Sequence, residues 1–180
     1  EKLIDNRLDF KFVANSKSTK KLNETIDKIA KTESFILLNG PAGSGKELLA
    51  KLIHRRSNRS KKSFRVINCA NLNPESFEQK IFGVEKNNGE VIKGFLEDSN
   101  GGTILFDQIE DMPISTQGKI IGFLEEQKFT RLGGIKSVKT DVRIISSTKT
   151  DLENSIKLNL FREDLFFKLN VIPINVPTLD

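Results

Sequence analysis

Three glycines and a lysine fall within seven residues in Gly40-Pro41-Ala42-Gly43-Ser44-Gly45-Lys46. Glycines at this density let successive backbone N–H groups turn toward one anion, and a lysine closing the loop can reach the outer oxygens of a polyphosphate. The apolar run Phe35-Ile36-Leu37-Leu38-Asn39 leads into the loop, and Leu48, Leu49, Leu52 and Ile53 follow it at helical spacing. Strand, glycine loop and helix in that order aim the positive end of a helix dipole at the same anion. The segment from Gly40 through Glu47 and Leu48 is therefore the expected cradle for the phosphates of ATP or ADP. A glycine turn with an incidental lysine is the bland alternative, and the flanking strand and helix argue against it. The residue after such a lysine is commonly Ser or Thr, whose hydroxyl meets magnesium. Here it is Glu47, so the metal must be arranged differently, with Glu47 and Asp107 as its expected protein ligands.

Asp107 ends a second apolar run, Gly101-Gly102-Thr103-Ile104-Leu105-Phe106-Asp107-Gln108. A parallel sheet presents its carboxyl edge to a ligand, and an aspartate there can hold magnesium through water. It could also merely begin a loop, since Asp is frequent after strands. Active ATPases with this arrangement commonly carry a glutamate next, to polarise the attacking water. Gln108 can orient a water but cannot accept its proton.

These groups need a scaffold, and the chain supplies one. Runs rich in Val, Ile and Phe over residues 35–39, 64–69, 103–107, 142–147 and 171–176 read as strands. Stretches of helical period cover 18–31, 46–56, 74–82, 115–127 and 163–169. Alternation of this kind predicts strands joined by crossover helices, an α/β fold in three αβα layers around a parallel five-stranded sheet. Phe129 to Asp141, with Gly133-Gly134 near its middle, reads as a hairpin inserted before the fourth strand. No closing helical segment follows the fifth strand, so the expectation is a nucleotide-binding subdomain without its helical lid, over residues 12–180, with 1–11 as linker.

Composition narrows the chemistry. With 180 residues and 37% hydrophobic content, one domain is the default. Cys69 is the only cysteine and His54 the only histidine, which excludes an internal disulfide and a Cys/His zinc site and leaves oxygen ligands for any metal. His54 reads as a surface or capping residue, Cys69 as a small buried apolar group, and Phe161, Phe166 and Phe167 as core or interface packing. The net charge of +5 is spread along the chain, which reads as a solvated basic surface, with direct nucleic-acid binding by this segment as the alternative. Neither a long apolar run nor a signal-peptide layout is present, so the expected place is the cytoplasm, away from membrane.

With the two motifs placed, the chain resembles the central AAA+ domain of bacterial enhancer-binding proteins, the activators of sigma-54 RNA polymerase. The resemblance runs from about Phe12 to Leu179 and includes Phe82-Gly83-Val84-Glu85, Gly101-Gly102-Thr103, Asp111-Met112-Pro113 and Phe161-Arg162-Glu163-Asp164-Leu165. The phosphate loop and Phe129-Thr130-Arg131-Leu132-Gly133-Gly134 look most like the NtrX-like branch of response regulators. Glu47 after the lysine is usual in this family. The resemblance implies a P-loop NTPase core that self-associates as a dimer or ring, binds ATP between subunits and contacts RNA polymerase, with DNA bound by a domain outside this chain.

It also implies site residues. Asn68 matches the asparagine that restrains the catalytic glutamate, although a strand-end hydrogen bond explains it equally well. Arg162 matches an arginine offered to a neighbouring subunit's γ-phosphate, and Lys168 occupies the place of the second. A salt bridge of Arg162 with Glu163 or Asp164 is the alternative. Lys149, after Ser146-Ser147-Thr148, replaces the asparagine of a sensor that positions water. Between Glu85 and Gly94 the family carries a Gly-Ala-Phe-Thr-Gly-Ala loop that touches the sigma factor. Here Lys86-Asn87-Asn88-Gly89-Glu90-Val91-Ile92-Lys93 stands instead, and the sigma-54 contact is expected to be lost.

Departures at Gln108, Lys149, Lys168 and this loop strike hydrolysis or its mechanical use, while the phosphate loop stays whole. The leading expectation is thus a nucleotide-responsive regulatory core of a two-component, NtrX-like transcription regulator that hydrolyses weakly. A working ATPase that remodels a transcription complex as a ring, and a dimerisation scaffold with an empty loop, are the alternatives.

Overall fold

The computed structural model describes residues 17–70 and 73–177. In chain order the elements are α1 (Lys17–Ala30), β1 (Ile36–Asn39), α2 (Lys46–Arg55), β2 (Phe64–Asn68), α3 (Pro74–Phe82), β3 (Val84–Glu85), β4 (Val91–Ile92), α4 (Phe95–Asp98), β5 (Thr103–Asp107), a 3-10 turn (Ile109–Asp111), α5 (Ile114–Glu126), β6 (Lys128–Thr130), β7 (Ser137–Lys139), β8 (Arg143–Thr148), α6 (Leu152–Lys157), α7 (Glu163–Leu169) and β9 (Ile172–Asn175). The reading of residues 1–11 as linker falls outside the described residues.

Five strands form one parallel sheet in the order β2-β5-β8-β1-β9. Its central strands β1, β5 and β8 are buried on both faces because both are covered, as parallel sheets require. Leu37, Ile67, Ile104, Phe106 and Ile144 join Phe77, Ile81, Ile120, Phe123 and Leu165 of α3, α5 and α7 in one core. Their alternating neighbours Ile36, Leu38, Leu105 and Ile145 join Ile26, Ala30, Leu49 and Ile53 of α1 and α2 in the other. The three expected layers follow from this period-two alternation. Among the described residues, no helix is long and apolar enough to cross a membrane.

Two small hairpins leave the sheet side by side. The expected one is β6 with β7, and the other, β3 with β4, is too short to register as a periodic pattern. They are tied together where the Glu85 N–H donates to Leu132 O at 2.8 Å and the Leu132 N–H donates to Gly83 O at 3.0 Å. Arg131 adds a two-pronged grip on Glu97, at 3.0 and 2.7 Å. At the base of the β3–β4 hairpin the chain crosses itself so closely that a Cβ on Gly94 would lie 2.3 Å from Gly83 N. Phe161 is core and Phe166 packs partly buried against it, whereas Phe167 is 66% exposed and takes no part in the core.

His54 corrects the surface reading: it is only 4% exposed. It lies on the inner face of α2, where Nε2 donates to Lys62 O at 3.1 Å and Nδ1 meets the Thr103 hydroxyl at 2.9 Å. A carbonyl can only accept, so the ring is the neutral Nε2–H form with Thr103 donating. Burial holds its pKa below the ordinary imidazole range, with Arg143 and Arg59 adding to the effect against the Lys62 carbonyl. A depressed histidine pKa means that the unfolded chain takes up its proton first as pH falls. This part of the stability is complete above the ordinary histidine pKa of about 6.5 and is lost on descending through it toward the folded value. The urea midpoint is expected to be lower at about pH 5.5 than at about pH 8, and His54→Gln should flatten that difference.

Candidate nucleotide-binding site

β1 carries the chain to the carboxyl edge of the sheet, where Gly40 N–H donates to Thr148 O at 3.2 Å and Val176 N–H donates to Asn39 O at 2.7 Å. The loop then turns back through Gly43 and Gly45, both left-handed at φ 77° and 87°. Side chains with a Cβ resist that region. Gly45 is the N-cap of α2 and offers no side chain to its first amides, which are left for a ligand. Pro41, Ala42 and Gly43 face solvent, while Ser44 is 2% exposed with an Oγ that has no hydrogen-bond partner among the described residues.

Lys46 begins α2 and is only 8% exposed. Its Nζ donates to Gly40 O at 2.6 Å and Pro41 O at 2.7 Å. Burial pulls its pKa below the usual lysine range, an effect opposed by the carboxylates of Asp107 and Glu110 and reinforced by Lys149. A buried ammonium held by loop carbonyls, beside an orphaned buried hydroxyl, suits a phosphate arriving with its own oxygens. Leu48 is half-buried against the α1–α2 core, and Glu47 is exposed and pairs with Lys51 one turn on at 2.8 Å.

The ends of β5 and β8 complete the site. Ser147 Oγ donates to Asp107 Oδ1. Gln108 adopts a left-handed conformation at φ 54°, and its Oε1 accepts from Lys149 Nζ at 2.6 Å. The Lys149 N–H in turn donates to Glu110 Oε1 at 3.2 Å. Sequence reasoning did not single out Glu110 as a site residue; its signal was a second carboxylate three places after Asp107. Asn68 lies opposite Asp107 in register, but its Oδ1 accepts from Ala70 N–H at 2.8 Å, a strand-end turn.

The structure brings Lys46, Asp107, Gln108 and Lys149 together. Arg162 and Lys168 stand apart on α7 and its N-cap. Arg162 grips Asp164 with Nε at 3.1 Å and Nη2 at 2.9 Å, and Lys168 pairs with Glu125 at 2.8 Å. Gln117, fully buried, places Arg162 by accepting its N–H at 2.8 Å. No group of three or more His, Cys, Asp or Glu side chains able to hold a metal occurs among the described residues. Of these groups, Asp107 at the end of β5 could hold a magnesium ion that draws its remaining ligands from phosphate oxygens and water.

A glycine loop between the first strand and its helix, and an acidic strand end beside it on a parallel sheet, define a P-loop NTPase core of the AAA+ class. The chain belongs to the sigma-54 interaction domain family, which matches residues 12–175. It is 47% identical over 168 residues to the nitrogen assimilation regulatory protein NtrX of Azorhizobium caulinodans, covering 93% of this chain and 37% of that protein. To the regulatory protein AtoC of Escherichia coli it is 39% identical over 171 residues, covering 93% of this chain and 37% of AtoC. The chain thus spans little more than a third of these curated relatives. A crystal structure of NtrX from Brucella abortus in complex with ATP superposes with a TM-score of 0.83 at 45% identity, over 91% of this chain and 37% of that one. The P-loop NTPase domain of an Escherichia coli sigma-54 activator shares the fold, with a TM-score of 0.62 at 17% identity over 93% of this chain and 99% of that one.

Proposed function

We propose that this chain, over residues 12–180, is the nucleotide-binding core of an NtrX-like transcription regulator that binds ATP or ADP and hydrolyses ATP slowly. The observation that carries this reading is Lys46, buried beneath a left-handed glycine loop and, among the described residues, hydrogen-bonded only to that loop's carbonyls. Phosphate oxygens would replace both carbonyls, Ser44 Oγ would gain a partner, and the uncapped amides of α2 would meet the charge. Brucella NtrX, 45% identical, has been solved with ATP and, at 44% identity, with ADP. Magnesium would shield the phosphate charge, and Asp107 is the protein group placed to hold it.

Slow hydrolysis follows from position 108. The Gln108 amide cannot take a proton, and its oxygen is held by Lys149. Arg162 and Lys168 are exposed or half-buried on α7 and its N-cap, available to a neighbouring copy in a dimer or ring once their present carboxylate partners are released. The segment replacing the sigma-contact loop is a closed polar turn: Lys86 N–H donates to Glu90 O at 2.9 Å, and Lys86 pairs with Glu90 through its side chain at 2.9 Å. Its tip holds no aromatic group, which argues against a sigma-54 contact through it. DNA would be reached through another domain.

The test is calorimetric binding of ATP and ADP with magnesium, followed by phosphate release from the same sample. Binding with slow release supports the reading, and fast release establishes a working ATPase instead. No binding of either nucleotide would leave the scaffold reading. Gln108→Glu is expected to raise the release rate about tenfold, held back by the new ion pair with Lys149, and the Gln108→Glu, Lys149→Asn double variant about a hundredfold.

A further inference from the structure

Among the described residues, Glu110 is the one carboxylate at this edge of the sheet with a buried oxygen left over. It sits in the 3-10 turn after β5, between Ile109 and Asp111, and that turn is fixed by Asp111 N–H on Gln108 O and Met112 N–H on Ile109 O, both at 3.1 Å. Ile109 and Met112 are sunk in the core, so the turn cannot swing freely. One oxygen, Oε1, accepts the Lys149 N–H at 3.2 Å. The other, Oε2, is buried and has no hydrogen-bond partner among the described residues. A buried acceptor without a donor is rare in folded proteins and calls for a specific explanation, such as a bound water, an ion or a chemical role.

The carboxylate is one short step from the phosphate loop. Lys149, which it holds, follows Thr148, and Thr148 O accepts the Gly40 N–H at 3.2 Å. Gly40 O in turn accepts from Lys46 Nζ at 2.6 Å. The charge of Glu110 is felt by the Lys46 ammonium, second only to that of Asp107 among the carboxylates. Asp107 is engaged by Ser147, and Gln108 has no basic oxygen to offer. Among the described residues, Glu110 is the acidic group at this edge whose unpartnered oxygen is also buried, out of competition with bulk solvent.

We infer that Glu110 is the general base of the slow hydrolysis, taking over at two residues' remove the task that an amide at position 108 cannot perform. The inference rests on the nucleotide reading above. The water oxygen bonds to the γ-phosphorus as the bond to the β–γ bridging oxygen breaks. The electron pair stays with ADP, the water's proton passes to Glu110 Oε2, and inorganic phosphate leaves. Solvent then takes the proton from Glu110.

The experiment is single-turnover phosphate release from ATP with magnesium, as a function of pH, in the intact protein and in Glu110→Gln, with ATP affinity measured beside it. Glu110→Gln should keep ATP affinity within about twofold and slow release about a hundredfold, and Glu110→Asp should restore part of the rate. Equal release in Glu110→Gln at every pH would overturn the inference. So would a wild-type protein that binds ATP and releases no phosphate. A loss of magnesium-dependent affinity with turnover per bound ATP unchanged would make Glu110 a cation ligand and overturn it as well. Failure of the wild type to bind ATP at all would instead sink the nucleotide reading on which it stands.

Discussion

Lys46→Ala is expected to weaken ATP and ADP binding by about a hundredfold or more while leaving the thermal midpoint close to wild type. In the free chain the ammonium has two loop carbonyls for partners, and burial already presses its pKa down. Exchanging those carbonyls for phosphate oxygens turns both contacts into ion-to-ion hydrogen bonds, each worth about 1.5–3 kcal/mol. Two such bonds amount to about 3 kcal/mol at the low end, a factor of about a hundred in Kd. Little fold stability depends on the side chain, because the gain from its hydrogen bonds is offset by the burial of its charge.

The same group dictates a pH dependence. Phosphate raises the lysine pKa and burial in the free state lowers it, so binding is strongest below the free-state value and weakens as pH rises through it. Calorimetry of ATP binding across the alkaline range should show that decline in wild type and a flat, weak response in Lys46→Ala. Wild-type affinity in Lys46→Ala would mean that the phosphates lie somewhere other than this loop.

The loop and the sheet were legible because each rests on local pattern. Glycine at positions 43 and 45 reports a backbone requirement, and the period-two apolar strands report two covered faces. Contacts between distant segments were not legible. His54 follows Ala50 by one helical turn on the buried face of α2, but its partners Thr103 and Lys62 lie 49 and 8 residues away. Helix α6 has only six residues, less than two turns, and its Asp151 cap, which accepts from Glu153 N–H at 2.9 Å, is too small a signal alone.

Gln108 and Lys149 illustrate the difference best. In the sequence they stand as separate departures, 41 residues apart, each of which removes a catalytic function. In the fold they are partners at 2.6 Å, so a single rewired contact accounts for both. Glu110 belongs to the same assembly through the Lys149 backbone, and only the orientation of its carboxylate, which no spacing encodes, separates it from an ordinary surface acid. Arg162 and Lys168 are legible only through resemblance, since their present partners Asp164 and Glu125 say nothing of a second subunit.

The second large effect lies away from the site, at the opposite end of the strand that carries Ser147 to it. Arg143 opens β8 and is 2% exposed, yet no carboxylate touches it among the described residues. Its Nη1 donates to Ala30 O at 2.9 Å and its Nη2 to Ile29 O at 3.0 Å, the last carbonyls of α1. The counter-charge of this guanidinium is therefore the negative end of a helix. Burial lowers its pKa, with some opposition from Glu33, but a guanidinium stays charged at neutral pH. Arg143→Ala would strand the Ala30 carbonyl and leave a cavity, while relieving the desolvation of a buried ion; the Ile29 carbonyl keeps its bonds from the Thr32 N–H at 3.1 Å and the Thr32 hydroxyl at 2.9 Å. The first two effects win, and the expected loss is about 2–4 kcal/mol, less than for breaking a paired buried ion. Arg143→Met should recover the cavity part and keep the carbonyl penalty. Urea midpoints give the size, and hydrogen exchange gives the place: α1 amides should lose protection before those of the sheet. A loss within about 0.5 kcal/mol would mean that α1 is held by its apolar face alone. Otherwise nucleotide affinity should fall with it, because Ile26 and Ala30 of α1 share a core with Leu49 and Ile53 of α2, the helix whose first residue is Lys46.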